Sequence, residues 1–171
     1  MSIADKVVVM RSGRVMQIGA PRELFWQPQN LFVAYFVGEI TLLEGYVVER
    51  SEGRCSIELR EGVQLVSTCP ERARGDHVVA AIRPERVKLY ASKVDGENVL
   101  RGKVLSARVL AGVLRYEVLL ENGETLLVKE ILTHAKRRAL PETSVWVQIP
   151  PQSILLFDYP SIGLMREISL E

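Results

Sequence analysis

The chain has 171 residues, of which 47% are hydrophobic, so it can bury the core of one ordinary domain or of a small domain with a fragment of another. Lys and Arg number 22 against 21 Asp and Glu, and this balance disfavours a protein that holds nucleic acid by charge. No apolar run approaches the roughly 20 residues that cross a bilayer, and the N-terminus lacks the form of a secretion signal. We therefore expect a cytoplasmic protein.

The first forty residues predict a β-hairpin followed by two short helices. The hairpin strands are Lys6 to Met10 and Val15 to Ile18, and Gly13 supplies the positive φ of the turn. The first strand is almost continuously apolar, which predicts burial on both faces.

Proline, asparagine and glycine mark the ends of the two helices. Pro21 suits the first position of a helix that ends before Pro28. Asn30 is placed to cap a second helix that ends at Gly38. The apolar stripe of this second helix consists of Phe32, Val33, Phe36 and Val37.

Short strands and turns follow from residue 41 onward, and only residues 130–138 have a helical pattern. This region falls into two halves that match one another, with Gly45 corresponding to Gly102. Each half closes on two strands around a proline, at Pro84 in the first and at Pro150 in the second. Five short strands per half with glycine at the bends predict small barrels of the OB type.

The cysteines, Cys55 and Cys69, are too few for a disulfide framework. They show neither CxxC spacing nor a cluster with histidine that would indicate zinc. The sequence therefore favours two small, buried apolar side chains in a reducing compartment.

The first forty residues resemble the end of the nucleotide-binding domain of an ATP-binding cassette (ABC) transporter ATPase. The resemblance is greatest to importers of maltose, spermidine/putrescine and iron. It is carried by Ala4-Asp5-Lys6-Val7-Val8-Val9-Met10, Gly13-Arg14-Val15, Gln17-Ile18-Gly19-Ala20-Pro21, Glu23-Leu24-Phe25, Pro28, Asn30 and Phe32-Val33-Ala34-Tyr35-Phe36-Val37-Gly38.

Residues 41–171 resemble the TOBE domain at the C-terminus of those ATPases, through Ile82-Arg83-Pro84-Glu85 and through Gly102-Lys103-Val104 followed by Gly112. The resemblance implies a mainly β chain with two OB-like (TOBE) units, at about 41–92 and 97–158. Residues 1–40 would be the remnant of an α/β nucleotide-binding domain, contributing a hairpin and two short helices.

The resemblance also implies a non-catalytic regulatory and dimerisation role that helps couple ATP hydrolysis to solute uptake. The implied partners are a second copy, permease subunits reached through the ATPase domain, and a small-molecule or protein effector. The protein would lie at the inner face of the cell membrane. ATP and magnesium would belong to the full-length parent, and we expect no cofactor in this chain.

The residues themselves argue against catalysis by this chain. A phosphate-binding loop needs the pattern GxxxxGK[ST], whereas Gly102-Lys103-Val104 lacks both the hydroxyl and the upstream glycine. We therefore expect no catalytic, cofactor-binding or metal-binding residues here, and no ATP hydrolysis.

A different function remains open, which is the binding of a small oxyanion such as molybdate or tungstate. The segment from Glu97 to Val104 resembles the start of oxyanion-binding barrels, with Asn98 and Lys103 as candidate ligands. Asp95 and Glu97 argue against it because their carboxylates repel an anion. A third option, an OB-fold binder of nucleic acid, is disfavoured because the aromatic residues are scattered in apolar alternation.

Five residues are candidates for structural or interface roles. Arg83 and Glu85 flank Pro84 and can pair across an interface. Phe32 and Phe36, with the strand before them, would leave an apolar patch open. We therefore expect the isolated chain to be a dimer or a larger assembly, with residues 4–38 docked on a second copy or poorly ordered.

Overall fold

The computed structural model describes residues 4–69, 72–132 and 139–169. Its strands are β1 (Val7–Arg11), β2 (Arg14–Gly19), β3 (Thr41–Ser51), β4 (Arg54–Glu58), β5 (Gln64–Thr68), β6 (His77–Ile82), β7 (Lys88–Tyr90), β8 (Val99–Leu110), β9 (Val113–Leu120), β10 (Thr125–Ile131), β11 (Ser144–Gln148) and β12 (Ile154–Asp158). Its helices are α1 (Pro21–Trp26), α2 (Leu31–Phe36) and α3 (Leu164–Ile168). Within these ranges every helix is too short to traverse a lipid bilayer. The predicted mainly β fold, a hairpin and two helices before OB-like sheets, is confirmed.

Two five-stranded antiparallel sheets follow the hairpin, and they exchange their last strands. The first sheet has the order β12-β6-β3-β4-β5, and the second has the order β10-β9-β8-β11-β7. Although β12 comes from the second half of the chain, it pairs with β6 and places Ile154 opposite Ile82. Conversely β7 pairs with β11 and places Tyr90 opposite Trp146. Each half thus completes the sheet of the other, and the bounds 41–92 and 97–158 stay a prediction.

The two halves repeat the same local backbone geometry. A register shift follows Val47 in β3 and Val104 in β8. The backbone of each valine then pairs with the turn before the fourth strand of its half, which is β6 in the first and β11 in the second. These bonds join Val47 N–H to Asp76 O (3.0 Å), Gly75 N–H to Val47 O (2.7 Å), Val104 N–H to Thr143 O (3.0 Å) and Glu142 N–H to Val104 O (2.8 Å).

Gly45 and Gly102, matched from the sequence, occupy equivalent crowded positions. A Cβ atom on Gly45 would lie 2.7 Å from the carbonyl oxygen of Glu58, and one on Gly102 would lie 2.9 Å from that of Leu119. Neither position has room for a side chain, because the neighbouring strand passes too close.

One hydrophobic core joins the two sheets. Buried aliphatic side chains from both halves pack in it, and Tyr116 is its largest aromatic member, with 1% of its surface exposed. Its other members include Ile57, Leu65, Val78, Ile82, Val118, Leu126, Val147 and Ile149. The two sheets therefore bury a common interior.

Cys55 and Cys69 are paired as a disulfide, with Cα atoms 5.7 Å apart. Both side chains are buried, as predicted, but the expectation of two unpaired thiols is wrong. Pairing of β4 with β5, together with a hydrogen bond from the Cys69 N–H to the Gly53 carbonyl at 2.8 Å, brings the two residues side by side. The spacing of the two cysteines along the sequence does not show that they lie side by side in the fold.

The N-terminal hairpin packs one face on the helices and leaves the other exposed. Val9 is 2% exposed and packs with Leu24 and Phe32, whereas Val8 is 49% and Met10 is 53% exposed. The prediction that β1 is buried on both faces is therefore wrong, since helices cover one face alone of this two-stranded sheet.

Two further helical predictions have different outcomes. Asn30 caps α2 as expected, because its side-chain oxygen accepts from the Val33 N–H at 2.9 Å. The prediction of a helix at residues 130–138 is wrong at its start, since β10 continues to Ile131. Residues 133–138 lie outside the described part of the chain.

The short helix α3 was not predicted, and it joins the C-terminal region to the hairpin. The Arg11 guanidinium donates to the carbonyl oxygen of Arg166 at 2.7 Å and lies 3.4 Å from the Glu167 carboxylate. A helix of five residues is too short to produce a clear period in the sequence.

Candidate functional site

Arg83 is fully buried where the helices meet the first sheet. It follows β6 and precedes the 3-10 turn Pro84–Arg86, since proline removes a ladder donor and bends the chain there. Its Nη1 donates to the carbonyl oxygens of Gly38 at 2.8 Å and Glu39 at 3.2 Å, and its Nη2 donates to that of Phe25 at 3.3 Å. The guanidinium carbon also lies 4.3 Å from the centre of the Phe25 ring. One side chain thus fastens α1 and the segment after α2 to the β region.

Burial changes the pKa of Arg83. Only 1% of the residue is exposed, and desolvation lowers its pKa to about 10, although the nearby Glu85 carboxylate partly opposes this change. The three carbonyl contacts supply the partners that a buried cation needs. The predicted structural role of Arg83 agrees with this geometry, but pairing of Arg83 with Glu85 across an interface stays a prediction.

Glu85 belongs to a second cluster beside this joint. The Lys129 ammonium lies 2.7 Å from Glu39 and 3.1 Å from Glu85, and the Arg115 guanidinium lies 3.0 Å from Glu39. Pro84 is buried between this cluster and the Arg83 contacts along the chain. Two carboxylates and two cations therefore connect the linker after α2 with β9, β10 and the turn after β6.

The ion pairs change the pKa values within this cluster. The hydrogen bond from Lys129 holds the pKa of Glu39 below the ordinary value of a glutamate, although partial burial opposes it. Burial works against the charged form of Lys129, but its hydrogen bonds to Glu39 and Glu85 outweigh burial and raise its pKa. Glu39 and Lys129 are therefore both charged at neutral pH.

A cleft of about 890 Å³ opens beside these charges. Its walls include the aliphatic side chains of Val87, Leu110, Val113 and Ile131. Leu110 is 78% and Ile131 is 76% exposed, so the rim is markedly apolar. Apolar walls around a few polar groups are typical of surfaces that bind an organic ligand or a partner.

The two candidate phenylalanines have different surroundings. Phe32 is 2% exposed, packs in the small core of the hairpin and helices, and lies beneath the Arg11 guanidinium at 4.8 Å. Phe36 stacks on Phe32 with ring centres 5.7 Å apart but is itself 50% exposed. Only Phe36 of the pair contributes to an open apolar surface.

Asn98, the first candidate ligand, is buried at the meeting point of the two sheets. Its φ is +52°, a left-handed conformation that asparagine tolerates better than most residues. Its amide group donates to the carbonyl oxygens of Val66 at 2.7 Å and Ile149 at 2.9 Å, and its amide oxygen accepts from the Val66 N–H at 2.7 Å. Both amide donors are engaged by the backbone.

Lys103, the second candidate ligand, lies apart from Asn98. It is on β8, about 16 Å further along an extended strand, and its ammonium forms an ion pair with Glu142. The structure thus does not bring the two candidates together. Their role as ligands stays a prediction.

Sequence reasoning missed four residues of this region, namely Phe25, Glu39, Arg115 and Lys129. They come from four separate segments, and in the sequence each resembles an ordinary aromatic residue or a solvated charge. The signal that pointed toward the region was the Ile82-Arg83-Pro84-Glu85 sequence, where a charged residue directly follows a continuous apolar strand.

Comparison with known proteins identifies the region that carries these contacts. Residues 80–157 match the family model of the TOBE domain. This range contains Arg83, Glu85, Asn98 and Lys129, and it includes β7 and all of β12 except Asp158. The matched region is therefore the part of the chain in which the two sheets meet.

Curated relatives match over more of the chain. The spermidine/putrescine import ATP-binding protein PotA of Pseudomonas fluorescens (strain Pf0-1) is 31% identical over 92% of this chain and 43% of its own length. Those of Escherichia coli (strain K12) and Vibrio cholerae serotype O1 are 36% and 33% identical, each over 76% of this chain and 35% of the relative. The chain thus spans less than half the length of the curated relatives that it matches.

A solved structure with the same architecture is that of the cytoplasmic molybdate-binding protein ModG with molybdate bound. The TM-score is 0.58 with 20% sequence identity, and the match covers 68% of this chain and 94% of ModG. At this identity the likeness concerns the fold.

Proposed function

We propose that this chain, whose residues 80–157 match the TOBE domain, is part of an ABC importer ATP-binding subunit and regulates that subunit without catalysing a reaction itself. In this proposal its β region responds to the movements of an ATPase domain and limits or permits them. An effector bound to the β region would change the balance between the ATPase conformations. The transported solute is set elsewhere in the transporter.

The observation that supports this proposal best is the set of contacts made by Arg83. A buried guanidinium bonded to three backbone carbonyls is a stiff connection, because its planar donors permit little reorientation. A rigid connection of this kind transmits displacement of the helices to the sheets. The Glu39 ion pairs with Arg115 and Lys129 give a second connection at the same joint.

The proposal extends to partners and location. The exposed hairpin face, with Val8, Met10, Val15 and Ile18 each about half exposed, would pack against the rest of the nucleotide-binding domain. The subunit would work as a homodimer with permease subunits at the cytoplasmic face of the membrane. ATP and magnesium would bind in the parent subunit, outside this chain.

A chimaeric subunit tests the proposal. The matching region of the Escherichia coli K12 relative is replaced by residues 4–169, and the product is reconstituted with its permease. We expect ATP hydrolysis and solute uptake to be retained. Replacing Arg83 by Met in the chimaera should lower uptake per ATP hydrolysed.

The control is the same chimaera with Lys103→Gln, an exposed change away from the joint, which should preserve coupling. The proposal is wrong if deleting the β region, or breaking the Arg83 contacts in a folded chimaera, leaves uptake per ATP unchanged.

The second candidate function is a binding module for molybdate, tungstate or a similar oxyanion. The fold shared with molybdate-bound ModG is the observation that favours it. Against it, the amide donors of Asn98 are occupied and Lys103 is paired with Glu142. Calorimetric titration with molybdate and tungstate, repeated on Asn98→Gly and Lys103→Gln, decides whether these residues bind the anion.

A further inference from the structure

A small pocket lies where the two proline-containing 3-10 turns approach α1. One turn, Pro84–Arg86, supplies Arg83 and Arg86, and the other, Pro151–Ser153, supplies Gln152 and Ser153. Trp26 and Leu155 complete the lining, and the pocket volume is about 110 Å³. Strand exchange places these two turns together, because it pairs β12 with β6.

The pocket contains many hydrogen-bond donors for its size. Arg86 and Arg83 contribute guanidinium groups, Gln152 contributes an amide and Ser153 contributes a hydroxyl. The Arg86 guanidinium is held 4.2 Å above the Trp26 ring, which restricts its orientation. Such a set of cationic and neutral donors is the chemistry that recognises an oxyanion.

Arg83, which lines the pocket, has one guanidinium donor without a partner in the described part of the chain. Its Nε–H is buried and has no hydrogen-bond partner among the described residues. A buried donor of a charged group is costly when it is unpaired. The three carbonyls that Arg83 binds are neutral, so no carboxylate accepts a hydrogen bond from this buried cation within the described chain.

The local charge balance also favours an anion. Among the described residues that line the pocket there is no carboxylate. Glu85, the neighbour of Arg83 that most affects it electrostatically, forms an ion pair with Lys129 at the separate large cleft. The described lining therefore holds two cations and no carboxylate, and the counter-charge of Arg83, Glu85, lies outside it.

We propose that this pocket binds one small tetrahedral oxyanion of the phosphate or sulfate class through Arg86, Gln152 and Ser153, with Arg83 behind it. The volume of about 110 Å³ accommodates a single ion of this size but not a nucleotide base and sugar. A bound anion would connect both 3-10 turns to Trp26 and so tighten the joint between α1 and the sheets. This inference does not depend on the regulatory function proposed above.

Titration of the chain with inorganic phosphate tests the inference. The Trp146→Phe variant leaves Trp26 as the single tryptophan, so its fluorescence reports on the pocket. Phosphate and sulfate should each produce a saturable change and raise Tm, with chloride at matched ionic strength producing neither. Arg86→Gln should weaken binding about tenfold or more, and Ser153→Ala should weaken it several-fold.

Two comparisons make the result decisive. Arg101→Gln removes an exposed cation that pairs with Glu121 outside the pocket lining and should leave the affinity unchanged. AMP tests whether the site binds a phosphate group that is attached to a larger molecule. If AMP binds more tightly than phosphate and this binding depends on Arg86, the site is supported and its ligand is a phosphorylated molecule. Absence of saturable binding would overturn the inference. So would folded Arg86→Gln and Ser153→Ala variants that bind phosphate as tightly as the wild-type chain does.

Discussion

Asn98 and Val66 pair side chain to backbone in both directions, with the Asn98 amide nitrogen 2.7 Å from the Val66 carbonyl oxygen and the Asn98 amide oxygen 2.7 Å from the Val66 nitrogen. In effect the side chain extends the first sheet by one peptide group. Its further bond to the Ile149 carbonyl reaches the end of the second sheet. This one residue therefore connects the edge strand β5 of the first sheet to the residue that follows β11 in the second.

Replacement of Asn98 by Ala should destabilise the chain by about 3 kcal/mol. The change leaves one buried and two partly buried backbone groups without their Asn98 partner and places a Cβ residue at a positive φ. Asn98→Gly is the matched control, since it removes the same hydrogen bonds but tolerates the backbone angle. Denaturant unfolding of both variants separates the two costs, and equal stability of Ala and wild type would contradict the structure.

Replacement of Arg83 by Lys should destabilise the joint by about 2 kcal/mol. An ammonium retains the charge but cannot reach the carbonyls of Phe25 and Gly38 with the same planar donors. Amide hydrogen exchange is the informative measurement, because exchange should rise in residues 21–37 more than in β3 or β8. Uniform change across all strands would instead indicate that Arg83 acts on the whole fold.

The Glu39 ion pairs predict a pH dependence of stability. Because the folded pKa of Glu39 is depressed, its contribution is present above the ordinary glutamate pKa of about 4.3 and is lost as the pH falls through the lower folded value. Glu39→Gln should cost roughly 0.5 kcal/mol at pH 7, a small figure since the group is partly exposed.

Urea unfolding of wild type and Glu39→Gln between pH 7 and pH 3 measures this contribution. The difference in unfolding free energy should be constant above about pH 5 and shrink toward pH 3. Lys103→Gln, which breaks an exposed pair on another face, provides a comparison. A difference that grows on acidification would have the wrong sign.

Gly45 and Gly102 should respond alike to replacement by Ala, with a loss of about 2 to 4 kcal/mol each. In both cases the new Cβ meets a carbonyl oxygen of the adjacent strand, which cannot move without disturbing the ladder. Gly53→Ala is a useful comparison because open space surrounds it and only its φ of +76° resists the change. Its cost should be about 1 to 2 kcal/mol by thermal or denaturant unfolding.

The exposed hairpin face predicts self-association of the isolated chain. Val8, Met10, Val15 and Ile18 present a contiguous set of apolar side chains on this face. We expect a dimer or larger assembly by light scattering, and conversion toward monomer in the double variant Val8→Lys, Val15→Lys. A wild-type chain that is monomeric at high concentration would contradict this expectation.

The sequence predicted the local elements well because their signals are local. Pro21 and Asn30 begin helices as expected, and the correspondence of Gly45 with Gly102 appears in the structure as two equally crowded sites. What it could not predict depends on residues far apart in the chain. The pairing of Cys55 with Cys69 depends on strand register, and the contacts of Arg83 depend on three segments.

In the candidate site, too, local features were predictable from the sequence and contacts between distant residues were not. Arg83 was recognised as structural from its place beside a proline, but its carbonyl partners are backbone atoms, and any residue could supply them. Asn98 is a candidate ligand from the sequence because its donors are suitable for an anion. Only the fold shows that Val66 and Ile149 already use those donors.

The pairing of β12 with β6 also determines the order in which the protein can mature during translation. The ribosome synthesises the four other strands of the first sheet before Ile154, so the backbone groups of β6 that pair with β12 stay unpaired until then. Nascent chains arrested before residue 154 should therefore be recognised by chaperones that bind unpaired strands.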